Sequence, residues 1–364
     1  MTDTLEVHVS VARRSFEVRA DLVAGPGERI ALFGPSGAGK TTLLEAIAGL
    51  AEPSAGAVRL GETVLSQEAV RPGRRRRLAH RMAPAGPTSA AVQHVSLLRQ
   101  PARLFPHLDV ESNVCYGHAT PSTAAEMIER LDLTELRDAR PVALSAGQAQ
   151  RVALARALSR PFSVLLLDEP MTAMDAASKA NAWAAVRDRC LEEHATSLLV
   201  THDVREAQGF GDRLAVMDEG EILTVGSPHE VVSAPVSRRV AEVVGYVTFL
   251  RLKQVGTGAP LCDNDEIEVA IDPLRIRLGS HPGDGIVFQA VVSGCRPAGS
   301  GFELDATIRL RAPLSAPFAG KWVSAVTCDL QVQVDAPVTM GKEILATSLS
   351  PPVVAGHTQK GGEP

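Results

Sequence analysis

The run Gly34-Pro35-Ser36-Gly37-Ala38-Gly39-Lys40-Thr41-Thr42 fills every fixed position of the pattern G-x-x-x-x-G-K-[ST]. Glycines in such a run let the backbone wrap so that its N–H groups point at an anion, and a helix starting near Lys40 aims its positive end at the same place. The Lys40 ammonium can reach the β- and γ-phosphates of a nucleotide, and the Thr41 hydroxyl can ligate Mg²⁺. A second constellation is Val164-Leu165-Leu166-Leu167-Asp168-Glu169-Pro170, an apolar run that ends in two carboxylates. Asp168 can hold Mg²⁺ through its water shell. Glu169, its neighbour, can polarise a water that attacks the γ-phosphate. The chemistry these residues suit is metal-assisted phosphoryl transfer to water.

Positioning these groups requires strands that end where the loops begin. Ile30-Ala31-Leu32-Phe33 leads into the glycine-rich run, and the helix-like Leu43-Leu44-Glu45-Ala46-Ile47-Ala48 follows it. Near-continuous apolar character predicts strands at Arg29 to Phe33, Ser163 to Leu167 and Ser197 to Thr201, in a sheet buried on both faces. Helices are predicted at Thr41 to Gly49, Ala146 to Ser159, Ala176 to Glu193 and Pro228 to Ser233. This alternation predicts an α/β nucleotide-binding domain. After about residue 235 the texture changes to short segments of period two, such as Ile267, Val269 and Ile271, or Phe302, Leu304, Ala306, Ile308 and Leu310. Turns such as Gly299-Ser300-Gly301 separate them, which predicts a small, barrel-like β domain.

Composition narrows the classes of function. The 364 residues, 45% hydrophobic and 22% charged, suit two or three ordinary globular domains. A net charge of −5 gives no overall basic field, so nucleic acid is not an expected partner. No apolar run is long enough to span a bilayer. Met1-Thr2-Asp3-Thr4-Leu5-Glu6 lacks the basic start and apolar core of a secretory leader. The five cysteines are scattered without a C-x-x-C, so free thiols in a reducing compartment are expected and a zinc site is not.

Leu144-Ser145-Ala146-Gly147-Gln148 resembles the L-S-G-G-Q signature of ABC-type ATPases, with Ala146 in place of the first glycine. Met171-Thr172-Ala173-Met174-Asp175 resembles the family's D-loop, and Leu199-Val200-Thr201-His202-Asp203 its switch-histidine segment. Arg99-Gln100-Pro101 stands at the Q-loop, where Arg99 replaces a usually apolar or aromatic residue and Pro101 a usually acidic one. Leu104-Phe105-Pro106-His107-Leu108, Ala215 to Gly220 and Gly226 to Val231 look like the ATPase subunits of bacterial importers.

The resemblance implies a P-loop ABC-type ATPase domain over residues 1–240, with a helical subdomain at about 100–160. It implies a small OB- or TOBE/Mop-like regulatory domain over 241–350; composition makes 351–364 a disordered tail. Two MgATP molecules would lie between the P-loop of one chain and Ser145, Gly147, Gln148 and Asp175 of a second copy. Glu169, His202 and Gln100 would assist hydrolysis, with Thr41, Asp168 and Gln100 around Mg²⁺. Phe16 is the candidate for stacking on adenine, and a core role is the competing reading. The implied partners are an integral membrane permease and, through it, a solute-binding protein, with the chain peripheral at the cytoplasmic face. Cargo leans towards molybdate or tungstate, with sulfate, ferric iron, polyamine and sugar as alternatives. A soluble ABC ATPase or an oxyanion-sensing regulator is a further alternative. The stretch Arg71 to Ala91, with Arg74-Arg75-Arg76-Arg77, is longer than the family pattern and reads as a solvated loop or a docking patch.

Overall fold

Alternating and continuous apolar patterns build the two halves of one ten-stranded sheet. In β1 (Leu5–Ala12) and β2 (Glu17–Ala24) every second residue is buried, as in an antiparallel pair with one solvated face. In β7 (Val164–Asp168) and β8 (Thr196–Thr201) every residue is buried, and these strands lie in the parallel half. The remaining strands are β3 (Arg29–Phe33), β4 (Ala55–Leu60), β5 (Thr63–Gln67), β6 (Val95–Leu98), β9 (Arg213–Asp218) and β10 (Glu221–Gly226). Their order is β5-β4-β1-β2-β10-β9-β3-β8-β7-β6. The computed structural model describes residues 3–13, 16–68, 88–117 and 119–245 with side chains, and short strands between 248 and 357 by backbone alone. Arg74 to Arg77 lie outside the described residues.

Helices cover both faces. On one side α1 (Lys40–Ile47) sets Leu43, Leu44 and Ile47 against strand residues such as Ile30, Leu32 and Leu166. The short α2 (Ser89–His94) is capped by the Thr88 hydroxyl. On the other side α3 (Val110–Val114), α4 (Pro121–Arg130), α5 (Ala146–Leu158) and α6 (Ala176–Glu193) share a second core with Leu165 and Leu167. Burying each such leucine stabilises the fold by about 1.5–3 kcal/mol, so the strand carrying the acid pair is strongly anchored. The predicted strands and helices in this part appear within one or two residues of their expected ends. The helix read as starting at Thr41 begins at Lys40.

The chain divides into two compact units, Met1–Pro228 and His229–Pro364, a break earlier than the expected boundary at 240. After α7 (Val204–Phe210) in the first unit, the second unit holds α8 (Pro228–Ser233), whose first residue is at the division, and α9 (Arg238–Val243). Its strands pair antiparallel in one four-stranded and one five-stranded sheet. The period-two run from Phe302 forms the strand Gly301–Arg309, paired on both sides. One expectation is corrected. Residues 353–357, read as part of a disordered tail, form a strand paired with Glu266–Ile271. Val353 and Val354 make backbone pairing possible where composition suggested none.

Candidate nucleotide site

Four neighbouring parallel strands deliver the site at their carboxyl ends, where open α/β sheets bind ligands. β3 runs into Gly34, β8 into His202, β7 ends in Asp168 with Glu169 next, and β6 is followed by Arg99 and Gln100. Register keeps these ends level: Phe33 pairs with Thr201, Asp168 with Val200 and Leu98 with Leu167. Phe16, Ser36, Gly37, Gly39, Lys40, Thr41, Thr42, Gln100, Asp168 and Glu169 thereby line one cavity of about 290 Å³.

The loop needs its glycines. A Cβ on Gly34 would stand 2.0 Å from the Met217 carbonyl oxygen. Gly39 has φ of +101°, and a Cβ there would meet Val18 Cγ2 at 2.7 Å. Lys40 is 7% exposed and donates to the carbonyls of Gly34 and Pro35 at 2.7 and 2.8 Å. Burial draws its ammonium below the usual lysine range, against the opposing pull of Glu169 and Asp168. Asp168 is 4% exposed and accepts a 2.9 Å hydrogen bond from the Thr41 hydroxyl. Burial raises its carboxyl above the usual range; the Thr41 bond opposes that, and Glu169 adds to it. A phosphate at Lys40 and a divalent cation at the Thr41–Asp168 pair are the partners that would offset both burial costs. The donor set therefore fits a magnesium nucleotide.

Glu169 has a left-handed backbone, φ +47°, rare for a residue with a side chain. Its N–H donates to the Val200 carbonyl at 3.0 Å, which fixes the turn after β7. Oε1 lies 3.2 Å from His202 Nδ1, and Oε2 accepts from the Thr172 hydroxyl at 3.2 Å. A strained backbone held by surrounding contacts is a common property of functional positions. Phe16 is half-buried against the core and also faces the cavity, so both readings of that residue hold in part.

The signature residues stand elsewhere. Ser145, Gly147, Gln148 and Asp175 do not line the cavity. Ser145 caps α5 through a reciprocal pair: Gln148 N–H donates to the Ser145 hydroxyl, and Ser145 N–H to Gln148 Oε1. Ala146 is the first helical residue and is absent from the positive-φ positions, so its methyl group carries no left-handed strain. Gly147 cannot be larger, since a Cβ would stand 2.6 Å from the Ala173 carbonyl oxygen. Asp175 caps α6 through the Ser178 N–H and hydroxyl. Sequence reasoning missed the buried Gln150, whose amide donates to the Pro170 carbonyl at 3.0 Å and links α5 to the acid-pair turn. A lone polar residue inside an apolar helical stripe was the available signal. It also missed the partners of Arg99, taken up below.

A glycine-rich loop, an acid pair and His202 on adjacent parallel strands, with the capped α5 apart from them, make up the fold of an ATP-binding cassette. The chain belongs to the ABC transporter family of ATPases, whose profile matches residues 19–172, and it uses ATP with Mg²⁺. It is 39% identical over 250 residues to an Fe(3+) ions import ATP-binding protein of Rhodococcus jostii, covering 67% of each chain. It is 36% identical over 254 residues to the molybdenum import ATP-binding protein of Mycobacterium tuberculosis, covering 66% of this chain and 64% of that one. Among solved structures, the dimeric post-hydrolysis ATP-binding cassette MJ0796 bound to ADP and Pi superposes with a TM-score of 0.52 at 24% identity. That match covers 62% of this chain and 98% of the other, and it shows the fold.

Proposed function

We propose that this chain is the ATP-hydrolysing subunit of an importer for a small inorganic ion, working as a homodimer on a membrane permease. The observation that carries the reading is Glu169, held between His202 and Thr172 beside the Thr41–Asp168 pair. Glu169 orients and deprotonates the attacking water, His202 steadies Glu169 and the γ-phosphate, and Gln100 reaches the same water. Lys40 and the loop N–H groups hold the phosphates in place. Mg²⁺, when bound, supplies charge neutralisation of the β- and γ-oxygens. The exposed start of α5 at Ser145 and Gly147 meets the γ-phosphate held by a second copy, with Asp175 beside it.

No helix among the described residues is long and apolar enough to cross a membrane. On this reading, which the import ATP-binding relatives support, the permease holds the chain at the cytoplasmic face, and a solute-binding protein delivers cargo on the far side. The relatives named for ferric iron and for molybdenum support both cargoes, and ferric iron stands level with molybdate. The β-rich second unit is read as a TOBE/Mop-like regulatory domain.

The test is hydrolysis by the purified chain. Glu169→Gln should bind ATP and lose turnover by about a hundredfold or more, the usual loss for a positioned general base. Wild-type turnover in that variant would refute the assignment. Uptake of labelled ferric iron and of molybdate by cells lacking this chain separates the two cargoes.

A further inference from the structure

Glu45 lies one turn beyond Thr41 on α1, and each of its carboxylate oxygens meets an arginine from a different half of the sheet, one after the antiparallel β1 and one after the parallel β6. Arg13, just after β1, donates to Oε2 at 2.7 Å and to the Thr42 hydroxyl at 3.0 Å. Arg99, just after β6, donates to Oε1. The Glu45 side chain is 18% exposed, and those of Arg13 and Arg99 are 38% and 30% exposed. These pairs are partly removed from water, where removing one partner costs more than at an open surface. Arg99 Nε is buried and has no hydrogen-bond partner among the described residues, so Glu45 is what anchors that guanidinium.

Both arginines sit next to cavity residues. The Arg13 backbone N–H donates to the Phe16 carbonyl at 2.9 Å, which ties the cavity-lining Phe16 to Arg13. Arg99 is bonded to Gln100, which lines the same cavity. The position where Arg99 departs from the family pattern is thus matched by a carboxylate of this chain on the helix that carries Lys40 and Thr41.

We propose that Glu45 is a positioning residue that clamps both walls of the nucleotide cavity to α1, Phe16 through Arg13 and Gln100 through Arg99. This rests on the assignment of the cavity as the ATP site. The two arms act on different parameters: the Phe16 arm on nucleotide affinity, and the Gln100 arm on turnover. In the isolated full chain, Arg13→Ala should raise KM for ATP about fivefold with kcat within about twofold. Arg99→Ala should lower kcat about tenfold with KM within about twofold, and Arg99→Lys should recover most of that loss. Glu45→Gln, which keeps shape and removes charge, should do both.

Because Arg99 acts through Gln100, Arg99→Ala should slow a Gln100→Ala chain by less than about twofold more. The proposal is overturned if the arginine variants change KM and kcat alike, if Arg99→Ala multiplies with Gln100→Ala, or if Glu45→Gln hydrolyses ATP normally. Should the alanine variants melt below assay temperature, Arg13→Gln and Arg99→Gln replace them under the same criteria. A Glu169→Gln chain that still turns over would refute the underlying site assignment instead, whatever the arginine variants do.

Discussion

The cavity around Lys40 and the start of α5 at Ser145 both lie at helix N-termini, ends that suit an anion, yet they are built differently. The first is closed by its own chain: Lys40 is tied to the loop carbonyls, Thr41 to Asp168 and Glu169 to His202. The second is satisfied only within itself, by the reciprocal Ser145–Gln148 cap, and it stays exposed. One region has charges whose burial calls for a ligand; the other has a prepared helix end without a charged side chain of its own. On the proposed reading a site that hydrolyses ATP needs both regions, and one chain brings only one of them to the cavity.

The largest blow to that comparison is struck at the closed region. Lys40→Ala removes the cation proposed to hold the β- and γ-phosphates, and hydrolysis should fall about a hundredfold or more while the fold remains. Persistent turnover, with an ATP analogue still bound by fluorescence, would show that the loop is not the site. Next in size, Phe16→Ala should raise KM for ATP about tenfold, the worth of a stacked ring at about 1.4 kcal/mol, with kcat little changed. An unchanged KM would return Phe16 to a core role alone.

A smaller effect reads the burial cost directly. The Asp168 carboxyl has a higher pKa folded than unfolded, so the folded state holds its proton more tightly. Its destabilisation is absent below the unfolded pKa, grows as pH rises through the carboxylate range, and is complete above the folded pKa. Asp168→Asn should therefore raise the nucleotide-free melting temperature at pH 7 by about a few degrees, with the gain shrinking in acid. A lower melting temperature at pH 7 would show that the carboxylate is compensated without a metal. The smallest effect belongs to the open region. Ala146→Gly restores the usual signature, but Ala146 is already helical, so turnover should change by less than about twofold. A several-fold gain in steady-state rate would mean that the methyl group obstructs closure.

Much of the first unit was legible because its signals are local. Apolar runs marked β3, β7 and β8, and the fixed positions of the loop marked the turn into α1. The alignment of Gly34, His202, Glu169 and Gln100 was not legible in one dimension, because it depends on the strand order β3-β8-β7-β6. The pairing of Glu45 was hidden for the same reason: Arg13 and Arg99 reach it only after two distant strands fold beside α1. The strand Val353–His357 was missed because glycine and polar neighbours masked a pairing supplied by the strand Glu266–Ile271.

The claim that a second copy completes the site is tested most directly by cross-linking. Ser36, exposed on the loop, and Ser145, exposed at the helix start, are each replaced by cysteine in a Glu169→Gln chain that also carries Cys115→Ser. With a mild thiol oxidant such as copper phenanthroline to take up the two electrons, ATP should then promote a disulfide between two chains, detected as a dimer band that disappears on reduction. A matched chain lacking the Ser36→Cys change should give none. A double-cysteine chain that gives no intermolecular bond with ATP, or the same amount without it, would contradict the shared site.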